Sequence, residues 1–136
     1  MANISQYATG AALHWLLVPG SSPTRPGTIG VGLSLGAPTS VSGSEIPNTS
    51  GYSTRQTGQF ASPASSPSGS AFLSNTNAMS WANLSACSIS GLNIWDTTAS
   101  NNSGNLLMYG LLAAARTLSA GDALVIASGA LTASLN

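Results

Sequence analysis

The sequence predicts a mainly β protein, an antiparallel β-sandwich of jelly-roll or Ig-like type with a short N-terminal helix. Three observations predict it. Short apolar or alternating runs recur from residue 71 onward at about 8–12-residue spacing, separated by Asn, Gly and Ser turns. Helical periodicity occurs convincingly only once, near the N-terminus. The 136 residues suffice for one core but not two, so residues 1–136 are expected to form a single sandwich domain.

The helix is expected over residues 3 to about 18. Ile4, Tyr7, Ala8, Ala11, Trp15 and Val18 recur three and four apart and share one stripe, Asn3 or Ser5 is placed to cap the start, and Pro19-Gly20 ends it. Gly10 inside it costs roughly 1 kcal/mol of propensity. His14 lies near the stripe and reads as a residue at the helix surface or at a packing edge.

Residues 20–27 form a turn-rich connector. In Thr28 to Leu35, Ile29, Val31, Leu33 and Leu35 alternate with small or polar residues, the signature of a half-buried strand. Its alternating glycines leave room for another backbone or a large side chain on the opposite face. This G-x-G is no dinucleotide fingerprint: it sits inside a strand, lacks a third glycine and precedes no helix. Residues 36–70 are dominated by long Pro/Ser/Gly-rich loops. Within them Tyr52 to Phe60 reads as a strand, with Tyr52, Thr54 and Gln56 facing one way and Ser53, Arg55 and Thr57 the other. Ala61 to Ser70 is low-complexity Ser/Pro/Ala.

Strands are then expected at Ala71–Ser74, Ala78–Trp81, Ala86–Trp95, Leu106–Leu111, Ala123–Ala127 and Leu131–Leu135. Leu111 to Ala115 has helical propensity, but the flanking turns argue for strand. Arg116 to Asp122 reads as a turn.

Composition excludes several functions. Only 4% of residues are charged, Arg25, Arg55 and Arg116 against Glu45, Asp96 and Asp122, where a typical domain has about 25%. Three scattered arginines give no footprint for nucleic acid. No apolar run approaches the roughly 18 residues of a membrane span, and no basic segment precedes an apolar run as in a secretory signal. So few charges suit a surface solvated by Ser, Thr and Asn, or one covered by other subunits. The lone Cys87 excludes an internal disulfide and fits a reducing site of synthesis.

Chemistry is equally hard to place. A nucleophile needs an adjacent base, and the sole histidine, His14, is far in sequence from Cys87 and from the acids. Asp96 and Asp122 read as local turn caps. There is no ligand cluster for zinc or calcium. No residue is therefore assigned a catalytic, cofactor-binding or metal-ligating role, no cofactor is expected, and the chain is read as non-enzymatic. Trp15, Trp81, Trp95, Tyr7, Tyr52 and Tyr109 are read as core and inter-sheet packing rather than a sugar-stacking surface.

The motifs carry a resemblance. Gly51-Tyr52-Ser53-Thr54-Arg55-Gln56 resembles the G-Y-x-R-Q strand of a family of small tailed-bacteriophage virion proteins, tail-fibre-like or minor tail proteins. Thr28 to Leu35 looks like that family's T-x-x-V-x-L strand. The strongest similarity is C-terminal: Ile94-Trp95-Asp96, the Gly-Asn-Leu-Leu-x-Tyr-Gly strand at Gly104 to Gly110, Arg116 to Asp122, and the closing Gly129-Ala130-Leu131-Thr132. The chain departs from the family in having fewer charges: of the acids usual before Gly-Tyr only Glu45 remains, and Ser62 to Ser70 has no clear counterpart.

The resemblance implies a structural protein of a phage virion, assembled in the host cytoplasm. The preferred expectation is a capsid decoration or cement protein that packs as a homo-oligomer, a trimer, and bridges neighbouring capsid subunits by apolar contact. The alternative is a tail fibre or minor tail component, with receptor or glycan binding as a further option. Major capsid protein or tail proteins would be its partners, with no nucleic acid and no membrane. The N-terminal helix and the 36–70 loops are the candidate contact elements.

Overall fold

A computed structural model describes residues 2–22, 24–48, 51–62, 64–65, 71–101 and 103–135. It is mainly β with antiparallel sheets and one short helix. In chain order the elements are β1 (Ala2–Ile4), α1 (Gln6–Leu17), β2 (Gly30–Ser34), β3 (Gln56–Thr57), β4 (Ala64–Ser65), β5 (Ala71–Ser74), β6 (Met79–Trp81), β7 (Cys87–Trp95), β8 (Leu106–Leu118), β9 (Leu124–Ile126) and β10 (Thr132–Leu135). The main sheet has the order β1-β8-β7-β2-β3; smaller sheets are β10-β5-β4 and β6-β9.

The β7–β8 hairpin is the spine. Asp96 ties its two arms at the turn: one carboxylate oxygen accepts from the Asn105 backbone N–H at 2.7 Å, the other from the Asn105 side chain at 2.7 Å. Gly104 (φ +78°) turns the chain in the left-handed region, and a Cβ there would strike Asp96 and Thr97. Both expectations for the acids hold, since Asp122 caps the β8–β9 turn by accepting from the Ser119 N–H at 2.8 Å.

β2 pairs with β7 so that Gly30 lies opposite Trp95, Gly32 opposite Asn93 and Ser34 opposite Gly91, while Val31 and Leu33 oppose Ile94 and Leu92. Paired residues share a face, so β2 separates an apolar face from a polar one. On the apolar side Val31 and Leu33 join a core with Ile46, Tyr52, Met79, Trp81, Leu84 and Ile89, and residues of β8 and β9 pack against it. Fully burying each of these aliphatic side chains contributes about 1.5–3 kcal/mol.

Several expectations need correction. β2 is buried on both faces rather than half-buried, and Leu35 lies outside it, exposed. In Tyr52 to Phe60 only Gln56–Thr57 is strand, and Tyr52 and Arg55, assigned to opposite faces, are both buried. Their side chains are drawn inward because the polar side of β2 offers room and partners. β8 runs on to Leu118, so Arg116 and Thr117 are strand, not turn. Between the pairs Gly91–Leu111 and Ile89–Arg116, β8 spends Leu112 to Ala115 against the single residue Ser90, an enlarged bulge of four residues against one that accommodates the helix-favouring alanines. The low-complexity stretch contributes β4, which pairs with β5; residues 63 and 66–70 lie outside the described residues. Residues 2–4 pair with β8, placing Ala2, Asn3 and Ile4 opposite Gly110, Tyr109 and Met108, so Asn3 and Ile4, expected as the start of the helix, are strand instead.

Candidate interaction surface

The polar side of β2 holds a buried ion pair. Arg55 donates from Nε to Glu45 Oε1 at 2.8 Å and from Nη2 to Oε2 at 2.9 Å, with both side chains at most 1% exposed. Its Nη1 donates to the carbonyls of Thr97 (3.1 Å) and Ser103 (2.8 Å), pinning the β7–β8 turn. The guanidinium lies 4.0 Å from the Trp95 ring centroid, a cation–π stack. Tyr52 donates its hydroxyl to Glu45 Oε1 at 2.6 Å. Burial and the neighbouring carboxylate push the Tyr52 phenol well above its ordinary value of 10.0.

The network continues through Trp95 Nε1, which donates to Asn93 Oδ1 at 2.7 Å. Asn93 donates in turn to Ser34 Oγ at 2.8 Å and to the Gly43 carbonyl at 2.9 Å. Gly30 and Gly32 make this layer possible. A Cβ at Gly32 would meet Asn93, Tyr52 and Glu45, and one at Gly30 would meet Thr97 and Arg55. The room that the strand glycines were expected to leave is filled by large side chains of this same chain.

This cluster is structural in form: its donors and acceptors face one another inside the protein, and it ties Gly43, Glu45, Tyr52 and Arg55, with Thr97 and Ser103, onto the sheet. Sequence reading missed it, treating Glu45 as a remnant and Arg55 as one scattered cation. The signal available was the pair Gly30 and Gly32 inside an otherwise apolar strand. The first part of the 36–70 loops thus folds inward at Pro38, Gly43 and Ile46, which are buried, while Gly36, Ala37 and residues 39–41 stay exposed.

Removing Glu45 and Arg55 from the six charged residues leaves four at the surface: Arg25, Asp96, Arg116 and Asp122. Arg25 and Asp96 meet His14 and Tyr7 in an open groove of about 650 Å³ between α1 and residues 24–27. Cys87 lies opposite Leu118, at the end of the hairpin away from Asp96; burial raises its thiol above 9.0. Among the described residues no three His, Cys, Asp or Glu side chains come together.

Of the aromatics, Trp81, Trp95 and Tyr52 are buried as expected, which removes them from any stacking surface. Trp15 and Tyr7 are not core. They belong to α1, where no residue is buried and Tyr7, Leu13, Trp15, Leu16, Leu17 and the capping Val18 are all exposed. The helix forms for the anticipated reason: Ser5, one of the two expected caps, accepts from the Ala8 N–H at 3.0 Å. Its hydroxyl also donates to the Leu106 carbonyl, and its N–H to the Leu107 carbonyl at 3.0 Å, so the root of α1 is fixed to β8. The expected stripe does face the body at Ala8 and Ala11, which are half-buried, but Trp15 on the same stripe is 56% exposed. The second half of α1 therefore has little of its own chain beneath it.

The site is thus a rigid, almost uncharged body that presents one apolar helix. A search of curated proteins finds no match. Residues 3–134 match the family described as podophage GP4 fiber I protein gp80, which covers nearly the whole chain and bears out the resemblance to phage virion proteins in its coarse form. The chain belongs to this family of podophage fibre proteins.

Proposed function

We propose that this chain is a non-catalytic structural subunit of the tail fibre of a podophage particle, assembling with further copies of itself and with tail proteins. The observation that carries this reading is the family match over residues 3–134. It favours the tail over the capsid surface, which the sequence reading had preferred; the bare, nearly uncharged surface suits either site, and nothing in the family description speaks for decoration. The work proposed is mechanical. A body locked by a buried ion pair and by hydrogen-bonded turns holds its shape, and neighbours attach through apolar contact and backbone hydrogen bonds rather than ion pairs. The homotrimer expected from sequence remains part of this proposal.

The test is location and copy number on purified particles, by gold labelling of a tagged chain and quantitative mass spectrometry. The reading expects label on the tail and a small symmetric number, such as about three, six or twelve copies, as symmetric assemblies give. Label spread over the head with hundreds of copies would overturn it in favour of decoration. Attachment should also resist raised ionic strength, because screening acts on exposed charges. Release by salt alone would count against apolar attachment.

A further inference from the structure

We propose that α1 is the self-association element of this protein, packing against the α1 helices of neighbouring copies around a rotation axis. Residues 6–17 contain no charged side chain, and none of them is buried within the chain. Successive residues of a helix turn by about 100°, so Leu13 and Leu17 share one side of α1 while Leu16 and Trp15 point to two others. All four are more than half exposed, at 51%, 56%, 67% and 74%. The last turns of α1 are therefore apolar on three sides, with His14 on the fourth, a wider apolar face than a helix lying on one surface needs.

Three observations identify the occupant as a second copy of this chain. A flat partner covers one side of a helix; neighbours on several sides need an arrangement such as a bundle about an axis. Close to such an axis a side chain meets its own equivalent, so a charge placed there would face a like charge. The first Lys, Arg, Asp or Glu of the chain is Arg25, so none of these charges lies on the helix, whose one basic side chain is His14. The area is also sufficient. The exposed parts of Tyr7, Leu13, Trp15, Leu16, Leu17 and Val18 present about 600 Å² of largely apolar surface per chain, against about 800 Å² per partner in a standard interface.

Gly10 supplies a separate argument. A Cβ there would meet nothing in its own chain, and its φ is not in the left-handed region. The fold of the single chain gives no reason for a residue that weakens a helix interior. Gly10 falls on the same outward side as Leu13 and Leu17, where close approach of a neighbouring backbone would need it.

The proposal deepens the assembly reading above by naming the contact, and it depends on that reading only in taking the neighbour to be an identical chain. The experiment is the mass in solution of the full chain by sedimentation equilibrium, beside Leu13→Lys/Leu17→Lys. Wild type should sediment as a multiple of 13.5 kDa. The variant should fall to the single-chain mass with an unchanged far-ultraviolet spectrum, its dissociation constant raised at least about 100-fold, from two leucines contributing at least about tenfold each. Should the lysines disturb folding, Leu13→Ala/Leu17→Ala carries the same expectation, with a rise of at least about 10-fold. A wild-type chain that stays monomeric at about 100 μM, where an interface weaker than about 5.5 kcal/mol would still be dissociated, overturns the proposal. So does a monomer that binds phosphatidylcholine vesicles through Trp15, or a folded variant that keeps the wild-type mass. Gold labelling reads location independently, so failure of self-association leaves the fibre assignment standing.

Discussion

Glu45→Gln tests whether the buried ion pair holds the body together. The substitution keeps the shape of the side chain but removes the counter-charge from Arg55, whose Nε and Nη2 both donate to that carboxylate within 2.9 Å. Thr97, Ser103 and the Trp95 ring remain as partners, yet none of them is anionic. Breaking a buried pair on one side costs about 3–5 kcal/mol, because the remaining charge stays desolvated. Unfolding entropy for 136 residues is about 0.3 kcal/mol/K, so the midpoint should drop by about 10–17 °C. The assay is thermal unfolding followed by circular dichroism at fixed protein concentration, since assembly makes the midpoint concentration-dependent. Adding Arg55→Met to Glu45→Gln removes the stranded charge and should restore at least half of the loss. A drop of less than about 3 °C for Glu45→Gln, under 1 kcal/mol on the same scale, would show that Arg55 does not depend on Glu45.

Other perturbations reach the same architecture from different sides. Tyr52 has a folded pKa above its ordinary value of 10.0. Its contribution is therefore complete below pH 10 and lost above it, as the unfolded chain gives up the proton first; stability should decline by up to about 1.4 kcal/mol per pH unit above pH 10, and Tyr52→Phe should remove one proton from that slope in denaturant titrations. Gly32→Ala places a methyl against Tyr52 Oη and Glu45 Oε1 at 2.8 and 3.0 Å, besides Asn93, and should cost at least about 3 kcal/mol or prevent soluble expression; wild-type stability would show that the β2 layer yields easily. Gly10→Ala adds a methyl into open space and should stabilise the isolated chain by about 0.5–1 kcal/mol. The same change should weaken self-association, so an opposite shift in midpoint and dissociation constant is the result to look for.

The fold was legible wherever local pattern decides structure. Alternation in β7 and the turn chemistry of Asp96 and Asp122 act within a few residues, and both emerged as read. The capping serine did as well. What was not legible depended on distant partners. Tyr52 and Arg55 are three apart, a spacing that puts side chains of a regular strand on opposite faces, and both turn inward to meet Glu45. Leu112 to Ala115 kept their ambiguous propensity, and the chain answered with a bulge rather than with clean strand or helix. The helix stripe was found, but its burial was assumed from periodicity. Periodicity tells which side chains share a face; it does not tell whether the same chain supplies the opposing surface. Trp15 marks that difference.

The ion pair and the helix are joined by a short path. Arg55 lies on Trp95 and holds the carbonyls of Thr97 and Ser103; Asp96, between Trp95 and Thr97, clamps Asn105; the next residue, Leu106, accepts the Ser5 hydroxyl that caps α1. Apart from the Arg55–Trp95 stack, each link is a buried or local hydrogen bond, so the root of α1 is tied to the body at several points. For an assembly built on an apolar helix this matters more than added contact area, because apolar contacts are non-directional and permit several packings. Direction has to come from elsewhere, and here it comes from the root. A chain that hides one charge pair in its body and leaves its helix uncharged thus divides the work: polar groups inside set the angle, and apolar groups outside supply the attraction.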